Sequence, residues 1–214
     1  MDEQWMTSGE GHPHRWRVLV VLLVSLFMVV LDNSVLNIAL PTIQRDLQAT
    51  QGNLVWAVDA YILAFASLLF TWGVLGDRIG RKRVLLIGMT VFGIASGVAS
   101  FSSGITMLIV LRVLMGIGGA GVMPATLAII TVVFPAHERG KAIWAGSVGA
   151  AMATGPVIGG VLLEHPEWTN WLIGNDWGAV FLINVPIAVI GMLGIAREVP
   201  ETRNPQPRAL DLIG

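Results

Sequence analysis

The chain has 214 residues, of which 54% are hydrophobic and only 13% charged, about half the charged share of an ordinary soluble domain. With a mean hydropathy of +0.72, that balance argues against a soluble globular enzyme and excludes a disordered chain. A net charge of −1 provides no basic excess for nucleic acid, and the lack of cysteine excludes disulfides and thiolate metal sites.

A membrane-crossing helix takes about 20 mostly apolar residues to span a hydrocarbon core of about 30 Å. Residues 1–16 are polar and mixed in charge, with Asp2 and Glu3 at their head. No small-residue cleavage site follows the first apolar run, so this is a tail and not a secretory signal. Span 1 is expected over residues 17–40 with one internal charge, Asp32. Span 2 covers 54–75 with Asp59, span 3 covers 84–100 without charge, and span 4 covers 105–133 with Arg112. Spans 5 and 6, over 142–163 and 180–196, are uncharged. Six such stretches leave too few polar faces for a soluble core.

Lysine and arginine set the orientation. With the N-terminus inside, Arg15, Arg17, Arg78, Arg81, Lys82, Arg83, Arg139, Lys141, Arg197, Arg203 and Arg208 fall on the cytoplasmic side, and only Arg45 falls outside. Both termini of the chain are then cytoplasmic. Trp16, Trp56, Trp72, Trp144 and Trp177 lie near span ends, where an amphipathic ring prefers to sit. His12, His14, His137 and His165 lie in loops without metal or catalytic spacing, so no metal, cofactor or enzymatic site is expected.

Between spans 2 and 3 the chain reads GVLGDRIGRKR over 73–83. Gly76 and Gly80 permit the tight backbone that a short reversal needs. Asp77 sits close to the start of span 3, where a carboxylate meets the positive helix end. The pattern G-x-L-G-D-R-x-G-R-K resembles the cytoplasmic loop signature of the major facilitator superfamily. In that family the loop is a conformational latch, which implies that Asp77 and Arg78 pair within it while Arg81 and Lys82 help hold the inner side shut. Gly73, Gly76 and Gly80 complete the motif.

Other segments agree with the resemblance. LDNSVLNIALP over 31–41 resembles the first-span signature of the fourteen-span drug:proton antiporters, with Ser34 where threonine is usual. Leu111 and Arg112, followed by Gly116, Gly118 and Ala120, are similar to the family's span-4 motif, whose arginine is linked to proton movement. Ala151, Gly155, Pro156, Gly159 and Gly160 are similar to the span-5 antiporter motif, with Ala151 replacing a usual glycine. FLINVP over 181–186 resembles the start of span 6 in the same branch.

An ionisable group inside a span is costly and is a functional candidate by default. At 1.5 Å per residue, Asp32 lies roughly 22 Å along span 1, Asp59 roughly 8 Å below the outer end of span 2, and Arg112 roughly 10 Å down span 4. All three share the outer half of the membrane, which suggests a cluster of two carboxylates and one guanidinium. Arg112 can neutralise one acid, and the other is left in a poor solvent, placed to take and release a proton. A static ion pair stapling spans 1, 2 and 4, with Asp59 reaching water, is the competing reading. In span 5, Gly155 and Gly159 share a face that lets another helix come close, and Pro156 bends the helix.

The expected fold is an all-α membrane protein of six transmembrane helices, one half of a major-facilitator-type bundle in a 3+3 inverted repeat. Residues 1–16 form the cytoplasmic tail, 17–196 the bundle, and 197–214 a cytoplasmic segment leading to a missing seventh span. The resemblance implies a proton-coupled exporter of drugs or other amphipathic small molecules that works by alternating access. Its partners are the lipid bilayer, protons, a small-molecule substrate and a C-terminal half. A metabolite or antibiotic exporter of the same fold, and a truncated half that transports nothing without a partner, are the alternatives. Asn33, Asn37, Met123 and Asn184 are the candidate cavity residues.

Overall fold

The computed structural model describes residues 11–145 and 149–202, and of 143–153 it describes no side chain. Arg203, Arg208, Gly146 and the expected start of a seventh span at Asp211 lie outside the described residues, as do the side chains of Trp144 and Ala151.

All regular structure among the described residues is helical. Helix α1 spans Arg15–Asp46 and α2 spans Gln51–Ile79, where Thr50 caps the start by accepting from the Asn53 amide. Helix α3 spans Arg81–Ala99 and α4 spans Ile105–Val133. Helices α5 (Ala136–Ala145) and α6 (Gly149–Glu164) follow. A short 3₁₀ turn and α7 (Asn170–Ile173) lead to α8 (Ala179–Leu182) and α9 (Asn184–Glu198).

Helix α1 runs six residues past the expected end of its span, because Pro41 sits inside the helix and not at its end. Proline removes only one amide from the ladder, the one that would bond the Asn37 carbonyl, and neighbouring helices can carry that loss. Most of the glycine-rich stretch read as a loop is helical too: 73–79 form the last turns of α2, and Gly80 alone, at φ 109°, joins α2 to α3. Five helices among the described residues are long and apolar enough to cross a membrane, the fifth being Ala179–Glu198. The fifth expected span, over 142–163, is described in two parts, of which the apolar Thr154–Glu164 is shorter than a crossing. Trp177, read as an interfacial ring, is fully buried edge-on to Phe181.

Helix α4 packs between α2 and α3, while α1 packs on α6 and α9, and α9 also meets α3. Apolar attraction cannot draw helices together within lipid, so small residues and close backbone contact must do it. A Cβ at Gly118 would stand 2.7 Å from the Gly88 carbonyl oxygen and 2.7 Å from the Phe92 amide nitrogen, so α3 and α4 cross backbone to backbone there. Gly116 makes the matching approach to α2, where its Cβ would meet the Tyr61 carbonyl oxygen at 2.5 Å. The outward faces are apolar, with Phe70, Ile94 and Val20 well exposed. At the end of the bundle carrying most of the basic residues, Arg15 on α1 donates from Nε to Glu138 Oε2 on α5 at 2.7 Å. Arg15 Nη2 adds a second bond to Glu138 Oε1 at 3.3 Å.

Two outcomes follow from this packing. Gly118→Leu should lower stability by about 3 kcal/mol through overpacking, read as a fall in Tm in lipid nanodiscs. Gly160→Ala, which meets nothing within 4 Å, should leave Tm unchanged or slightly raised. The Arg15 hydrogen bond holds the Glu138 carboxyl below the usual carboxylate range. The tether between α1 and α5 is therefore complete above that range and is lost as pH falls through the lowered value. Hydrogen exchange over residues 136–142 should accelerate on acidification, beyond its intrinsic pH dependence, and Glu138→Gln should abolish the change.

Candidate functional site

Asp32 and Arg112 meet inside the bundle. Arg112 Nη1 donates to Asp32 Oδ2 at 2.5 Å, and the two side chains are 0% and 1% exposed. The guanidinium is held on its other edges as well. Its Nε donates to the Ala57 carbonyl at 3.0 Å, its Nη2 reaches Asn33 Oδ1 at 3.4 Å, and its carbon lies 4.3 Å from the centre of the Tyr61 ring. Arginine suits such a place because its planar fork presents several donors and its face stacks on aromatic rings.

The carboxylate has a second anchor. Asn184 Nδ2, at the start of α9, donates to Asp32 Oδ1 at 2.9 Å and to Ser96 Oγ at 3.0 Å. Ser96 on α3 donates in turn to the Phe181 carbonyl at 2.8 Å. One network therefore joins α1, α2, α3, α4, α8 and α9 around a single buried carboxylate.

Asp59 does not join it. It is exposed on α2, in a cleft of about 340 Å³ lined also by Pro41, Gln44 and Gln51. It stands two residues from both Ala57 and Tyr61, which face Arg112, and two residues turn a helix by about 200°. The three-charge cluster expected from depth is thus a two-charge pair completed by neutral groups, since equal depth says nothing about the face of the helix. Asn184, expected in a cavity, is fully enclosed in this network. Asn33 donates to the Val29 carbonyl, and exposed Asn37 donates to that of Asn33. Met123 opens on a cleft of about 400 Å³ shared with Phe70, Gly73 and Asp77.

At the basic end, Asp77 Oδ1 accepts from Arg81 Nη2 at 2.9 Å and from Nε at 3.3 Å. Asp77 in the last turn of α2 and Arg81 at the start of α3 thus meet across the turn at Gly80. Arg81 Nη1 also donates to the Ala128 carbonyl of α4, and Lys82 Nζ to the Ala196 carbonyl of α9. Gly76 lies against Arg81 and Val84. In α6, Gly155 abuts Ser34 and Gly159 abuts Val35 on α1, whereas Gly160 faces open space and Pro156 is exposed.

Sequence reasoning missed Tyr61 and Ser96. A depth signal was available, since Tyr61 lies roughly 10 Å down span 2 and Ser96 roughly 6 Å from the outer end of span 3, close to the level of Arg112.

Comparison with known proteins agrees with this architecture. A family model described as Major Facilitator Superfamily matches residues 22–212. The multidrug efflux pump LfrA of Mycolicibacterium smegmatis is 41% identical, over 92% of this chain and 38% of its own length. The methyl viologen resistance protein SmvA of Salmonella typhimurium is 40% identical, over 92% of this chain and 39% of its own. The chain thus spans about two-fifths of the curated relatives it matches. The solved structure of the proton:xylose symporter XylE bound to 6-bromo-6-deoxy-D-glucose shares the fold, with a TM-score of 0.74 at 16% identity, over 88% of this chain and 45% of that one. These matches place the chain as a multi-pass membrane protein that corresponds to the N-terminal half of a transporter fold. It belongs to the major facilitator superfamily.

Proposed function

We propose that this chain is the N-terminal half of a secondary active transporter that exports drugs or other amphipathic small molecules in exchange for protons. It acts with a C-terminal half, in the cell membrane, with both described ends on the cytoplasmic side. The positive-inside distribution of lysine and arginine supports that orientation. The relatives named for multidrug efflux and methyl viologen resistance support the substrate class.

The observation that carries the reading is the enclosure of Asp32. A carboxylate with no access to water is tolerated because Arg112 and Asn184 hold it, and its neutralisation by a proton would remove one side of the ion pair. Arg112 would keep the Ala57 carbonyl and the Tyr61 ring on α2, so its hold on α1 would shrink to the 3.4 Å bond to Asn33 while the guanidinium stayed in place. A proton taken from outside thereby loosens one helix of the half, and the rocking of the two halves carries substrate outward. Arg81, Asp77 and Lys82 tie the opposite end together and serve as the latch that this rocking must open. The glycine contacts of α6 on α1, at Gly155 and Gly159, supply the close surface along which α1 moves. Asp59, on the exposed face of α2, is a secondary proton group near the outer opening.

The test is Asp32→Asn in the intact transporter, assayed for substrate efflux driven by an imposed proton gradient in sealed vesicles. Coupled export should fall at least a hundredfold while substrate exchange without a gradient persists. Unchanged coupling would overturn the reading.

A further inference from the structure

The hydrogen-bond ladder of the sixth apolar segment is interrupted at Ile183, next to Asn184, although the backbone there stays helical at φ −59° and ψ −27°. Helix α8 ends at Leu182 and α9 begins at Asn184. Pro186 has no amide hydrogen, so the Leu182 carbonyl loses its usual partner four residues on. The Phe181 carbonyl, one residue earlier, accepts from the Ser96 hydroxyl. The ladder is met here by a side chain from another helix, Ser96, and Ser96 is joined to Asp32 through Asn184.

Asn184 is the joint between the two. It is completely buried, and its Nδ2 is committed to Asp32 Oδ1 and Ser96 Oγ. Its Oδ1 is buried with no hydrogen-bond partner among the described residues. An enclosed amide with its donors used and its acceptor empty is costly, and native interiors rarely leave one so. The arrangement suits one charge state only. A carboxylate can do nothing but accept, and it therefore fixes the amide with its N–H groups inward.

Protonation reverses the demand. When Asp32 takes a proton from water on Oδ1, the oxygen turned away from Arg112, that oxygen becomes a donor. The empty acceptor beside it is Asn184 Oδ1. Meeting it requires the amide to turn, and the N–H groups that leave Asp32 and Ser96 need new acceptors. Ser96, whose hydroxyl now holds the Phe181 carbonyl, must rearrange with them. The hydrogen bonds of the present packing cannot all survive, and the place with fewest backbone bonds to lose is the break at residue 183. Among the described residues, the titratable groups facing Asp32 are Arg112 from α4 and Tyr61 from α2. Asn33, Ser96 and Asn184 bring neutral groups from α1, α3 and α9. The carboxyl is thus linked to the sixth segment through Asn184.

We propose that Asn184 is a positioning residue that passes the protonation state of Asp32 to the break between α8 and α9, with Ser96 as its relay. The inference rests on the proton-coupling reading of Asp32 and extends it to a second moving part, the sixth segment, beside the loosening of α1 on α4.

The experiment is hydrogen exchange by mass spectrometry on the intact transporter in lipid nanodiscs, at acid and alkaline pH, corrected for intrinsic exchange. In the unaltered protein, protection of the amides over 181–185 should fall about tenfold on the acid side. Asn184→Leu, which keeps the volume and removes both hydrogen-bonding groups, should abolish that difference. Asp32→Asn should abolish it as well. Ser96→Ala removes only a hydroxyl, so it guards against a misfolded Asn184 variant, and it too should flatten the response at 181–185. A pH response that persists in Asn184→Leu, or in Ser96→Ala should the leucine variant misfold, would overturn the inference. So would its absence from the unaltered protein. In that last case, loss of coupled export in Asp32→Asn would leave the antiport reading intact, whereas retained coupling would remove both.

Discussion

An arginine and an aspartate shut away from water among apolar helices impose the condition that the rest of the bundle must meet. Taking both charges out of water costs several kcal/mol for each, and one ion pair recovers that only when every remaining donor and acceptor is also met. Arg112 meets the condition with a carbonyl from α2, an amide oxygen from α1 and an aromatic face, and Asp32 meets it with Asn184 at the start of α9. Helices that share no hydrophobic drive toward one another in lipid are thus given fixed neighbours, depth and register.

Close backbone contact makes the network possible. Arg112 reaches the Ala57 carbonyl because α2 and α4 touch at Gly116, and α3 lies close because Gly88 and Gly118 cross without side chains. The same economy governs the basic end. Gly80 alone turns the chain between α2 and α3, so Asp77 and Arg81 stand four residues apart across the turn and pair there. Polar contacts between helices thus include the buried group around Asp32 and Arg112 and the Asp77–Arg81 pair at the basic end.

Much of this was legible in the sequence, and the exceptions have identifiable causes. Span 4 was read to the residue because the polar Ser102-Ser103-Gly104 precedes, and Pro135 closely follows, a long run that is apolar but for Arg112 and a few small polar residues. Span 1 was cut short at Pro41 because proline is a strong stop signal in water, while a helix packed among others tolerates it. Depth brought Arg112 level with Asp32 and Asp59, the two acids inside the spans, but did not say which of them it would pair with. Asp59 was drawn into the same cluster because depth fixes height and not azimuth, and the faces of α2 are apolar all round. With no polar stripe to mark the inner side, the sequence could not show that Ala57 and Tyr61 turn inward. Asn184 stood out as a polar residue in an apolar segment, but its partner lies 152 positions away, and only the fold joins them.

The buried pair as organiser is tested most directly by a double-mutant cycle on unfolding in lipid nanodiscs, using Asp32→Leu, Arg112→Met and the two combined. Each single change leaves an uncompensated charge inside and is predicted to cost about 3 kcal/mol or more, while the combined variant recovers most of that loss. Single changes with little effect, or losses that simply add in the combined variant, would contradict the account.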